Sequence, residues 1–184
     1  KGQNANATRG KFLMTPSRIR ASVIVERVSW IQDMIAGIRK LPLTDFEEFT
    51  KDARNTAAAE SYLRRGIEAL LDLGRHILAK GFGVASIEYK EICARLAQEG
   101  ILTNEQQLLL RQIAGYRNRM VHFYHEITSQ ELYNLCIHHI EDMETLLNAL
   151  IEWTRKNPVK VERCRGCPVI LVLYFQKGIN LVKS

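Results

Sequence analysis

Residues 52–83 read DARNTAAAESYLRRGIEALLDLGRHILAKGFG, and the fold follows from how this stretch is read. Asp52 suits a helix N-cap, because its carboxylate can accept one of the backbone N–H groups that the first turn leaves unpaired. The alanines at 57–59 and the Leu, Glu, Arg and Lys around them are good helix formers. Gly81 and Gly83 are expected to stop the helix just after Lys80. The stretch is too long for a strand and predicts one long central helix.

Working outward, the same grammar recurs. Thr15 followed by Pro16 reads as a cap and first helical residue. Ile24, Val28, Ile31, Ile35 and Ile38 then step by 4, 3, 4 and 3, one apolar helical face that ends before Pro42. Thr44-Asp-Phe-Glu47 reads as a capping box over a short helix, FEEFTK. Ser86 starts a helix that Gly100 ends. Thr103-Asn-Glu-Gln106 and Thr128-Ser-Gln-Glu131 are two further capping boxes. The second opens a single long helix with Leu132, Cys136, Ile140, Met143, Leu147 and Leu150 on one face, closed by Asn157-Pro158. With no convincing strand before residue 160, the pattern predicts an all-α fold, an antiparallel up-down helical bundle. The segment CPVILVLYF near the end is β-branched and more strand-like. The expected organisation is a leader or added tail over 1–13, a helical domain over 14–156 and a short non-helical tail over 157–184.

Composition narrows the class. The chain has 184 residues, 46% hydrophobic and 25% charged, enough to bury one core and too apolar for disorder. No apolar run approaches the roughly 18–20 residues of a membrane span, and the first 20 residues have no secretory apolar core. Four cysteines at irregular spacing do not make a disulfide framework, so a cytoplasmic protein with reduced thiols is expected. The net charge of +6 is unevenly placed. Residues 1–20 hold five Lys/Arg and no acid, and residues 155–184 hold seven Lys/Arg against Glu162 alone. The middle of the chain carries an excess of acid, so anion chemistry there must come from a local cluster.

That cluster is Tyr116-Arg-Asn-Arg-Met-Val-His-Phe-Tyr124, which falls where a helix should be running out. At 100° per residue Arg117 and Tyr124 share a face, whereas His122 lies about 140° round the cylinder from Arg117. Either the helix breaks near Val121, or Arg from one subunit works with His from another. The residue types suit phosphodiester cleavage in RNA. A neutral His can take the 2′-OH proton or protonate the leaving oxygen. Arg offers a permanently charged fork to the phosphate, and Tyr124 a hydroxyl or a stacking face. The nucleophile is RNA's own 2′-OH, so neither a metal nor a cofactor is needed.

The string RNRMVHFY resembles the R-x4-6-H element of the HEPN superfamily, and more narrowly the R-x4-H-x-Y form of HepT-like toxins, including the Asn after the Arg. The resemblance extends over the helix order from about Arg18 to Lys156, through LPLTDFEEF, IEALLDLGRHILA, the GYRN entry and the HEI-x4-LY exit. It implies a helical homodimer that cleaves RNA in a cleft between two facing motifs. It also implies a nucleotidyltransferase antitoxin that silences the toxin by transferring AMP to a tyrosine. Carried over by position, Arg117 and His122 are the catalytic pair, Asn118 supports them, Arg119 lies beside them, and Tyr124 is the AMPylation site. A different class of function stays open beside this one: a non-catalytic HEPN-like module that binds a nucleotide or docks a partner, or that serves chiefly as the substrate of its modifying partner.

Other constellations are weaker. Glu68, Asp72 and His76 sit at i, i+4 and i+8, stretched over about 12 Å, too far to share one ion. They are read as a polar stripe that orients the active-site helix or the dimer. Arg64, Arg65, Arg111 and Arg119 are candidates for RNA phosphate contacts, Arg119 the best of them because it lies inside the motif, though solvated helix surface is the plainer reading of each. His125 reads as loop surface, and His138 and His139 as packing or surface. Cys164-Arg-Gly-Cys167 lacks the second pair a zinc ribbon needs, and Cys93 and Cys136 read as core.

Overall fold

The computed structural model describes residues 17–85, 88–122 and 127–162, with the backbone but not the side chain of His122. Among these residues are seven α-helices: α1 (Ala21–Arg39), α2 (Phe46–Thr50), α3 (Ala53–Phe82), α4 (Tyr89–Gln98), α5 (Asn104–His122), α6 (Ser129–His138) and α7 (Ile140–Lys156). Two short strands, β1 (Ile19–Arg20) and β2 (Val161–Glu162), pair in parallel, with a 3₁₀ turn over Pro158–Lys160 before the second. The all-α reading holds. No helix among the described residues is long and apolar enough to cross a membrane.

α3 is the axis of the bundle, and α1, α2, α4, α5, α6 and α7 all pack on it. A helix packed on several sides cannot be narrowly amphipathic, and α3 accordingly buries Leu63, Ile67, Leu70, Leu71, Leu73, Ile77 and Leu78. Its glycines mark where neighbours come closest. A Cβ on Gly66 would stand 2.9 Å from Met143, one on Gly74 2.9 Å from Leu96, and one on Gly81 3.1 Å from Ile19. The predicted faces of α1 (Ile24, Val28, Ile31, Ile35, Ile38) and of α6–α7 (Leu132, Cys136, Ile140, Met143, Leu147, Leu150) are buried throughout. Burial pushes the Cys93 and Cys136 thiols up to about 11 and about 12, as suits inert core residues.

Several boundaries differ from the sequence reading. The first helix starts at Ala21, not at Pro16, because Ile19 and Arg20 are extended and paired with β2. Thr15 and Pro16 lie outside the described residues. α2 is capped by Asp45, one residue after the expected Thr44; the Asp45 carboxylate accepts from the Glu48 N–H at 2.8 Å. Gly81 does not stop α3, which runs on to Phe82. The stop is Gly83, whose φ of +68° is the left-handed conformation that glycine adopts without penalty. α4 begins at Tyr89 after Glu88, later than expected, and Ser86 is outside the described set. The single helix expected after Thr128 is two, parted at His139 (φ −108°, ψ 2°). The His139 N–H still donates to the Leu135 carbonyl at 3.0 Å, and the Met143 N–H to the His139 carbonyl at 3.1 Å. The apolar face therefore continues across the bend, which is why periodicity does not betray it.

Candidate active site

α5 opens with the full reciprocal capping box expected at Thr103: the Gln106 N–H donates to Thr103 Oγ1 at 3.2 Å, and the Thr103 N–H to Gln106 Oε1 at 3.0 Å. The helix then buries Leu110, Ile113 and Ala114. Arg117 continues that face at i+7, i+4 and i+3, so its side chain enters the bundle where an apolar residue would be expected. A cation so placed needs a partner, and α3 provides one. Arg117 Nε donates to Glu68 Oε2 in a short ion pair, with the two side chains 17% and 34% exposed.

Glu68 also accepts from the Tyr89 hydroxyl at 2.9 Å. The Arg117 guanidinium lies over the Tyr89 ring, 4.9 Å from its centroid. Burial, and then the bond to Glu68, pushes the Tyr89 phenol up, which keeps it the donor to Glu68. With Nε held by Glu68 and one face covered by Tyr89, the guanidinium has a set orientation. Its Nη1 makes a long contact of 3.4 Å with Asn118 Oδ1. Among the described residues no acceptor takes Nη2.

Of the polar stripe read on α3, Glu68 alone touches Arg117. Asp72 pairs with Arg75 at 2.5 Å, and His76 Nε2 accepts the Arg20 N–H at 3.2 Å. Arg119 turns to the other side of α5 and pairs with Glu131 of α6 through both carboxylate oxygens, Nη2–Oε2 at 2.9 Å. That pairing uses the carboxylate of the second capping box, whose Thr128 Oγ1 still accepts the Glu131 N–H at 3.2 Å. Arg65 and Arg111 are exposed and Arg64 half-buried. His139 packs its ring on Tyr116 at 5.6 Å and pairs with Asp142 at 2.7 Å. Tyr89 escaped the sequence reading: nothing local marks it, and its role depends on how α4 meets α3.

The α5 backbone is helical through His122, so of the two alternatives a helix break near Val121 is not the one seen. On that continuous helix positions 117 and 122 lie about 140° apart around the cylinder. Tyr124, His125 and the Cys164/Cys167 pair lie outside the described residues.

The family described as Ribonuclease HepT-like matches residues 31–150. The chain is 25% identical over 129 residues to the mRNA nuclease HepT of Shewanella oneidensis, covering 70% of this chain and 96% of that protein. Similar folds include the tri-AMPylated Shewanella oneidensis HEPN toxin in complex with its MNT antitoxin (24% identity, TM-score 0.63, 70% of this chain and 96% of that one). YutE, a cytosolic Bacillus subtilis protein of unknown function, is another (20% identity, TM-score 0.65, 77% and 94%). The family match spans most of the helical bundle and includes α5 with Arg117 and His122, and on that ground the chain belongs to the HepT-like ribonuclease family.

Proposed function

We propose that this protein is the toxin of a toxin–antitoxin pair, a metal-independent endoribonuclease that acts in the cytoplasm as a homodimer. The observation that carries the reading is Arg117: a guanidinium at the end of α5, braced by Glu68 and Tyr89, with one edge left for a phosphate. In the reaction the 2′-oxygen of RNA bonds to phosphorus and the P–O5′ bond breaks. His122 takes the 2′-OH proton or delivers one to the departing 5′-oxygen. Arg117 stabilises the charge that builds on the phosphoryl oxygens. Asn118 steadies Arg117, and Arg119 ties α5 to α6 through Glu131. The continuous helix favours a composite site, with Arg117 of one subunit facing His122 of the other across a two-fold axis. Control comes from a nucleotidyltransferase antitoxin that transfers AMP to Tyr124, placing bulk and negative charge beside the catalytic histidine.

The direct test is cleavage of single-stranded RNA by the purified protein in the presence of EDTA. RNA should be cut, and DNA of the same sequence left intact. A single 2′-O-methyl group at the cleaved position should block scission. Cutting of DNA, or activity abolished by chelation, would refute the mechanism.

Glu68 gives a sharper test of geometry. Glu68→Ala frees Arg117 to swing and leaves it partly buried without its partner. A misplacement of about 1 Å can cost on the order of 10²-fold in rate, so kcat should fall by roughly 10–100-fold with little change in KM. Glu68→Gln keeps an acceptor for Arg117 Nε and should recover most of that loss. Full activity in Glu68→Ala would show that Arg117 needs no brace.

A further inference from the structure

The chain's excess positive charge has a location. β1 and β2 pair in parallel, Ile19 opposite Val161 and Arg20 opposite Glu162. Of the two basic ends of the sequence, the described residues 17–20 and 158–162 thus meet on the helical body. The junction is firmly seated. Ile19 is fully buried against Gly81, Val161 is buried, and Lys160 Nζ donates to the Gly81 carbonyl at 2.7 Å while lying 4.0 Å over the Phe82 ring. Next to it Ser17, Arg18, Arg20, Lys80 and Glu162 line a recess of about 460 Å³, roomy enough for a nucleotide-sized group. Three cations thus face one carboxylate, and among the described residues none of the three is in an ion pair. The neighbouring His76 registers the same field: burial, then Lys80, Arg20 and Arg27, holds its imidazole below the usual histidine range.

Lys80 of the recess and Glu68 of the Arg117 brace belong to the same helix, α3. Glu68, Asp72, His76 and Lys80 follow one another at i+4 steps on α3, winding about a third of a turn over a rise of about 18 Å. Arg75, between them, lies over the same Tyr89 ring as Arg117, at 5.8 Å. Ser17, Arg18, Arg20 and Glu162 all lie outside the stretch that matches the family, residues 31–150.

We infer that Arg18, Arg20 and Lys80 form a distal phosphate-binding pocket that holds the RNA backbone several nucleotides from the scissile bond. The inference rests on the ribonuclease reading for its ligand class. RNA is favoured over an acidic protein because the pocket lies on the same helix as the Arg117 brace, about 18 Å along it, and because single strands carry one charge per nucleotide. Arg18 and Lys80 are the test positions.

The experiment measures binding of a fluorescent, uncleavable 2′-O-methyl RNA of roughly 12 nucleotides to the full chain by anisotropy, across a range of salt. In Arg18→Gln/Lys80→Gln, two phosphate contacts are lost. The slope of log K against log salt should shrink by about 1.4, and affinity at moderate salt should drop on the order of tenfold. Cleavage of a long RNA should show the same loss in KM with kcat unchanged, whereas a dinucleotide, too short to span about 18 Å, should be cut at the wild-type rate. The charge-preserving Arg18→Lys/Lys80→Arg should bind as wild type. Unchanged affinity and salt slope in the Gln variant would overturn the pocket, as would equal losses on the dinucleotide, or loss of a protein partner with RNA binding intact. If the wild type cuts neither substrate yet the binding contrast persists, the pocket stands and the ribonuclease reading falls.

Discussion

His122→Ala should reduce RNA cleavage by about 10²–10⁴-fold, because it deletes the group that moves the proton in the proposed mechanism. Arg117→Ala should cost about 10²–10³-fold or more, since the fixed positive charge at the phosphoryl oxygens goes with it. Arg117→Lys should not restore the rate: Lys cannot make the Nε bond to Glu68, lie flat on Tyr89 and still present a second donor edge to the phosphate. The continuous α5 makes a further demand. If each site takes Arg117 from one subunit and His122 from the other, a heterodimer of Arg117→Ala and His122→Ala chains contains one intact site and one doubly dead site. An equimolar mixture refolded together should then regain about a quarter of wild-type activity, although each variant alone is inactive. No recovery in a mixture shown to contain heterodimers would place Arg117 and His122 of the same chain in one site. A monomer with full activity, seen by light scattering at micromolar concentration, would do the same.

Tyr124→Phe should produce the largest effect in a cell. Wild-type protein expressed alone should arrest growth, and co-expression of the cognate nucleotidyltransferase should relieve the arrest. In the proposed control, AMP transfer would form a bond between the Tyr124 oxygen and the α-phosphorus of ATP and release pyrophosphate. A phenylalanine keeps the ring but offers no oxygen. Tyr124→Phe should therefore stay toxic with the active nucleotidyltransferase present, and the intact mass of the co-expressed wild type, but not of the variant, should rise by whole adenylyl units. Complete neutralisation of Tyr124→Phe by that partner would show that control runs through another residue or through binding alone. Full loss of cleavage in purified Tyr124→Phe would instead make the hydroxyl part of the chemistry, a distinction the in vitro RNA assay reads directly.

The helices and their buried faces were legible in the sequence because helical amphipathicity is local. Ile24 to Ile38 declare a face by their spacing alone, and the Thr103/Gln106 box declares where α5 begins. The motif of Arg117, Asn118, Arg119 and His122 was legible too, with the end of α5 as its place, because residue order and helical phase need no partner. Tertiary structure decided what depends on contacts between distant segments. Local signals predict a helix from Pro16, but burial of Ile19 against Gly81 and pairing with β2 keep Ile19 and Arg20 extended. The bend at His139 leaves the apolar period intact, so only the packing of its ring on Tyr116 and its bond to Asp142 mark it. Arg117 announces itself as a charge on an apolar face, yet that Glu68 meets it, and that Tyr89 lies under it, is settled by how α3, α4 and α5 pack. A helical repeat states which way a side chain points; only the assembled bundle determines what it finds there.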